Sequence, residues 1–147
     1  MLTKHSYKSM ERIRGTKAYL VDPGLQNNRE NAFTTENIGW RLENVVFIEL
    51  LRRCSNDFMD VYYHKPTNKD KEVDFVVCDK GTTRELIQVA YDIDAPKTFK
   101  RETSALVAAS ETLRCDNLLL IAFAETRDVE VNGKVIHIKS ALEWLLA

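Results

Sequence analysis

Several things are scarce or missing in this 147-residue chain, and each narrows what the protein can be. The three cysteines (Cys54, Cys78, Cys115) lie far apart with no C-x-x-C pair, which speaks against a disulfide framework or a structural zinc site and suits a reducing cytoplasm. The histidines His5, His64 and His137 are equally scattered. An excess of one charge is also missing. With 21 basic and 22 acidic residues the net charge is −1, which argues against binding nucleic acid by bulk attraction. The longest apolar run, Leu118–Ala124, falls far short of the roughly 20 residues that span a bilayer, and the basic N-terminus lacks the apolar stretch of a signal peptide. The expectation is a cytoplasmic protein with no membrane partner. No G-x-x-x-x-G-K-[ST] phosphate loop occurs, so the chain is not itself a P-loop ATPase. There is no internal repeat or low-complexity tract, and the length suits one domain that buries about two-thirds of its unfolded surface.

What is present reads as alternating elements. Residues 1–16 are polar and weakly patterned, an arm or the remnant of a preceding segment, with the domain proper at 17–147. Lys17–Val21 has strand character and is closed by Asp22-Pro23-Gly24, where proline presets the first corner of a turn and glycine supplies the second. A helix is expected from Thr35 to Arg53, with Ile38, Leu42, Val45, Val46, Ile48 and Leu50 on a broad apolar face. Thr34 or Thr35 would cap its start, and Arg52 and Arg53 would complement its dipole at the far end. Strands follow at Asp60–His64, Glu72–Cys78 and Arg84–Tyr91, and their short connections favour an antiparallel meander. Asp94 and Pro96 open a helix over Pro96–Leu113, with Phe99, Thr103, Leu106, Ser110 and Leu113 on one stripe. Asp116–Ala124 reads as a buried strand of the kind found in parallel sheets. Asn132-Gly133 marks a hairpin between Val129–Val131 and Lys134–Ile138. Ser140 and Glu143 have capping-box spacing before a last helix that would pack Leu142, Trp144 and Leu145. The expected fold is an α/β sandwich with a mixed central sheet: α-β-β-β-α-β, then a hairpin and a short helix.

Three side chains suggest chemistry. Strand alternation puts Glu72, Asp74 and Val76 on one face, and Leu86, Gln88 and Ala90 on one face of the next strand. If those strands pair, Asp74 and Gln88 converge, and Glu43 on the helix covering that side completes a set of oxygen ligands suited to a hard cation such as Mg²⁺. A buried acid among apolar neighbours is costly unless it is paired, hydrogen-bonded or ligating. Each residue also has an ordinary reading. Glu43 could pair with a surface cation, Asp74 could bridge to Lys71 or Arg84, and Gln88 could satisfy backbone groups. Cations gather in two places, Lys4, Lys8, Arg12, Arg14 and Lys17 near the start and Lys97, Lys100 and Arg101 on the second helix, where a solvated tail and a solvated helix end are the simpler explanations.

The order helix acid, strand acid, Gln88-Val89-Ala90 resembles the PD-(D/E)XK restriction-endonuclease-like superfamily, with glutamine at the position of the last acid and alanine at that of the lysine. Lys17-Ala-Tyr-Leu-Val-Asp-Pro-Gly-Leu25, Gly39-Trp-Arg-Leu-Glu-Asn-Val-Val-Phe-Ile-Glu-Leu50 and Lys71-Glu-Val-Asp-Phe75 look more narrowly like the uncharacterised C-terminal domain of prokaryotic AAA-type ATPases. So do Leu86-Ile-Gln-Val-Ala-Tyr-Asp92, Thr98 with Arg101-Glu102, and Glu143-Trp-Leu-Leu146. This resemblance covers about residues 15–147. It implies a catalytically degenerate nuclease-like accessory domain, a recognition or regulatory module of an ATPase in cis or in trans, in possible contact with DNA. The alternative it leaves is an active Mg²⁺-dependent DNA phosphodiesterase that uses Glu43, Asp74 and Gln88, with Lys100 or Arg101 as a relocated cation. A third use, as an oligomerisation domain or homodimer, would show in exposed Trp40 or Trp144 surfaces.

Overall fold

The computed structural model describes residues 3–4, 17, 19–20, 35–66 and 71–147, with backbone alone at 3–4 and 35–37. In chain order the elements are β1 (Thr3–Lys4), α1 (Thr35–Asp57), β2 (Asp60–His64), β3 (Val73–Asp79), β4 (Thr82–Ala90), α2 (Pro96–Leu113), β5 (Leu118–Ala122), β6 (Arg127–Val131), β7 (Lys134–Ser140) and α3 (Ala141–Leu146). The strands form one seven-stranded sheet in the order β1-β2-β3-β4-β5-β7-β6. β2, β3 and β4 are the expected antiparallel meander. β5 runs parallel to both β4 and β7, and all five of its residues are buried, as a strand covered on both faces requires. Thr3–Lys4, inside the segment read as an arm, adds a short strand parallel to β2. The expected turn at 22–24 and cap at Thr34 lie outside the described residues.

The sheet separates two apolar layers. α2 lays Ala105, Leu106, Ala109 and Leu113 on the face formed by Val76, Leu86, Leu118, Leu120, Ile136 and Ile138. α1 and α3 cover the other face, where Val46, Phe47, Leu50, Cys54, Ala141 and Trp144 meet Phe75, Val77, Ile87, Leu119 and Ile121. The α/β sandwich with a mixed sheet is therefore the fold of the chain. Cys54, Cys78 and Cys115 are free and buried.

Local chemistry sets the element ends, and several differ from expectation. α1 runs a turn past Arg53 and stops at Phe58, whose left-handed φ of 56° lets the Met59 N–H return to the Cys54 carbonyl at 2.9 Å. Arg52 and Arg53 are therefore not in the last turn. Both hold Glu49, and Arg53 also donates to the Trp144 carbonyl. α2 starts with Pro96 after Ala95 and has no side-chain cap; the Asp94 N–H is taken by Asp92 instead. At α3 the capping box is closed through a third residue. Ser140 Oγ accepts the Glu143 N–H, while Thr126 Oγ1 accepts the Ser140 N–H and donates to the Glu143 carboxylate. Trp144 is buried there, whereas Leu142 is 66% exposed rather than packed.

Candidate functional site

The site forms where the ladder between β3 and β4 opens. Its last backbone pair at that end is Phe75 with Ile87, which puts Asp74 opposite Gln88. Beyond it, side chains replace the ladder. Gln88 Oε1 accepts the Asp74 N–H at 3.2 Å, and Asp74 Oδ2 accepts the Val89 N–H at 3.0 Å. The buried Asp74 N–H thus finds its acceptor in Gln88, which is the ordinary role open to that residue from the sequence, and Asp74 does the same for the partly buried Val89 N–H. Asp74 and Gln88 do converge, yet the face they share is the one covered by α2, as the apolar partners of Val76 and Leu86 show. α2 supplies Glu102, a buried acid whose Oε2 accepts from Gln88 Nε2 at 2.6 Å.

Glu43, on α1 behind the other face, joins through Lys17, which the sequence reading counted among the cations near the start. Lys17 Nζ lies 3.0 Å from Glu43 Oε1, 2.8 Å from Asp74 Oδ1 and 3.0 Å from Glu72 Oε1. The Tyr19 hydroxyl donates to the same Glu43 oxygen at 2.6 Å. Glu72 also holds Lys65 at 2.7 Å. A cleft of about 380 Å³ runs beside this cluster, lined by Glu43, Glu72, Asp74, Gln88, Arg101 and Glu102.

The charges do not balance, since three carboxylates share the two ammonium groups of Lys17 and Lys65. Burial and the Glu43 charge push the Asp74 carboxyl up to about 7, against the pull of Lys17 and the Val89 N–H. Burial opposes the charge on Lys17, but Asp74 and Glu43 outweigh it and hold the ammonium well above its usual range. Burial and the Glu43 charge keep the Tyr19 hydroxyl protonated. Burial also works against a charged Glu72, and the hydrogen bond from Lys65 and the Lys17 charge overcome it, leaving its pKa lowered.

As placed, these donors are committed. The near oxygens of Glu43 and Asp74 face an ammonium group, and the Gln88 carbonyl is used on backbone. Among the described residues no group of three or more His, Cys, Asp or Glu is arranged to hold a metal ion. The proposed relocated cations fare unequally. Arg101 lines the cleft and ion-pairs Glu102, while Lys97 and Lys100 are exposed on α2.

The match to known proteins falls on this same framework. Residues 39–141 match a domain of unknown function, DUF4143. The chain belongs to the DUF4143 family. Such domains are often found with AAA ATPases. This DUF4143 chain is also 36% identical over 120 residues to the uncharacterized protein MJ1544 of Methanocaldococcus jannaschii, an alignment covering 82% of this chain and 25% of that protein. The chain thus spans about a quarter of the length of the curated relative it matches. No solved structure matches it.

Glu43, Asp74, Gln88, Arg101 and Glu102 fall within the matched span, whereas Lys17 and Tyr19 precede it. Lys17, Tyr19, Glu72 and Glu102 are the site residues that sequence reasoning missed. The available signal was alternation, which already paired Glu72 with Asp74, and the Arg101-Glu102 dipeptide. Nothing local marked Lys17, whose partners lie 26 and 57 residues away. Among the described residues no helix is long and apolar enough to cross a membrane.

Proposed function

We propose that this DUF4143 domain is a restriction-endonuclease-like accessory module with a degenerate PD-(D/E)XK centre, serving recognition or regulation within an AAA-type ATPase and touching DNA through Lys97, Lys100 and Arg101. The observation that carries the reading is the use made of Gln88. Its carbonyl accepts the Asp74 N–H and its amide donates to Glu102, so it is spent on hydrogen bonds within the fold at the position where the superfamily's acid would act. The α/β sandwich supports the reading, as does a cleft at the opened end of the meander with an acid from α1 and one from β3 on its walls. So does a family often found with AAA ATPases. The cleft itself is rich in carboxylates, which repel phosphate, so DNA contact belongs to the exposed start of α2 rather than to the cleft floor.

Arg101 favours a second reading. It reaches the cleft from α2, where a relocated cation would serve an active phosphodiesterase. A cleavage assay on supercoiled plasmid and single-stranded oligonucleotides, in Mg²⁺ and in Mn²⁺, separates the two. The degenerate module predicts no cleavage by the wild type or by Asp74→Ala, both folded by circular dichroism. Cleavage by the wild type that Asp74→Ala loses would establish the enzyme instead.

A further inference from the structure

Another cleft, of about 390 Å³, opens on the face of the sheet that α1 and α3 cover. Strand alternation builds its floor. β4, β5 and β7 run parallel, with Ile87, Leu119 and His137 in one row and Ile121 beside Lys139 in the next. Glu85, Leu119, His137 and Lys139 therefore point to one side, away from Ile136 and Ile138, which pack under α2. Leu119 is buried and belongs to the apolar layer under α1, so the floor is apolar and the walls are charged. Arg53 forms one wall and is fixed from three directions. Its Nε donates to Glu49 and its Nη2 to the Trp144 carbonyl, each at 2.6 Å, and its guanidinium carbon lies 4.3 Å from the centroid of the Trp144 ring. These bonds occupy two of the five guanidinium N–H donors. Its charge is not neutralised one for one either, because Arg52 shares Glu49. Lys139 adds an exposed ammonium, and His137 an imidazole whose Nδ1 meets Asp128 at 2.8 Å. Glu85 is the exception, an acid among cations. Burial raises its carboxyl above the ordinary range, although the charges of Lys139 and Arg53 and a hydrogen bond from Asn117 pull it down.

We propose that this cleft binds inorganic phosphate as hydrogen phosphate, with Arg53 and Lys139 on its charged oxygens and Glu85 accepting its P–OH. A planar guanidinium presents paired donors that match two oxygens of a tetrahedral anion. Arg53 is already held on Trp144 and Glu49, so little of its freedom is lost when an anion arrives. Glu85 then acts as the selector. An oxyanion without a proton sets an acceptor against an acceptor there, whereas hydrogen phosphate brings a donor. The acid that looks out of place in a cationic cleft is what the proton on the ligand requires. Glu85, Arg53 and Lys139 take no part in the cleft of Asp74 and Gln88, so the inference holds whether or not the domain is a degenerate nuclease.

The test titrates the full chain with sodium phosphate and with sodium sulfate at constant ionic strength and about pH 8, where both anions are tetrahedral dianions that differ by one O–H. Amide signals in nuclear magnetic resonance report the site. Phosphate should shift Asn117, Leu119 and Lys139 to saturation, and sulfate should bind at least about tenfold more weakly. Glu85→Gln, whose side-chain amide can donate, should close that gap by admitting sulfate. Lys139→Gln, at an exposed position, should weaken phosphate at least about fivefold. Equal binding of the two anions by the wild type would overturn the proposal. So would shifts that never saturate, shifts confined to the start of α2, or a preference for phosphate that survives Glu85→Gln. The comparison of the two anions on the wild type decides the matter even if Glu85→Gln fails to fold.

Discussion

Asp74 accepts one backbone hydrogen bond and one ammonium contact, yet burial and a neighbouring glutamate leave its carboxyl titrating near neutrality. The pair is not a simple salt bridge. Three acids share the ammonium groups of Lys17 and Lys65, and the surplus negative charge raises the carboxyl of the most buried of them. The consequence for stability has a definite sign. A carboxyl raised from 3.8 to about 7 on folding binds more protons in the folded state between those values. Its contribution is therefore fully present below pH 3.8 and is lost as pH rises through about 7. Other groups run the opposite way. Glu49, lowered to about 2 by hydrogen bonds from Arg52 and Arg53, stabilises above its ordinary range and loses that as pH falls. The comparison must therefore be with Asp74→Asn, which cannot titrate there. Urea unfolding of both proteins should show the wild type gaining stability relative to Asp74→Asn as pH falls from 8 to 5. A difference that is flat with pH, or that grows toward pH 8, would mean Asp74 is ionised throughout.

Elements with strong local signals were legible in the sequence, and those fixed by distant partners were not. The α2 bounds follow from Pro96 and the seven-residue stripe, and β5 from its unbroken apolar run, because periodicity and length alone specify them. The end of α1 was misplaced because Arg52 and Arg53 look like a dipole-complementing terminus, whereas Glu49 one turn earlier claims both. Leu142 was assigned to the core by its apolar character, but on a helix this short Ala141 and Trp144 take the inward face. Convergence of Asp74 and Gln88 was readable from alternation. That α2 covers them, and that Lys17 joins Glu43 to Asp74, depends on topology no local pattern encodes. The β6–β7 hairpin was readable from two residues, and its energetics follow. Asn132 and Gly133 have φ of 52° and 75°, the pairing a type I′ turn demands. A Cβ on Gly133 would meet nothing within 4 Å, so the left-handed backbone is the whole cost. Gly133→Ala should destabilise by about 1 kcal/mol in urea unfolding, and no loss would mean the turn relaxes to another type.

At the scale of the molecule, the sheet's opened end joins both helical layers. α1 contributes Glu43 and Asn44, α2 contributes Arg101 and Glu102, and the N-terminal segment is clasped to both α1 and β3. Trp40 is half-buried and Trp144 is packed under Arg53, whose guanidinium carbon lies 4.3 Å from the ring centroid. The residues proposed as cues to self-association are thus mostly used within the fold. Among the described residues, the exposed or open features include the carboxylate-lined cleft, the cations at the start of α2 and apolar side chains such as Phe58 and Leu146. The account turns on Lys17 being the cation of that cleft, and nuclear magnetic resonance of lysine labelled with ¹⁵N at Nζ observes it directly. The account predicts one ammonium signal at neutral pH that exchanges far more slowly than the other lysines, vanishes in Lys17→Gln and shifts in Glu43→Gln. If every lysine ammonium exchanges at solvent-exposed rates, or the slow signal survives Lys17→Gln, the cleft is not held by Lys17 and the account fails.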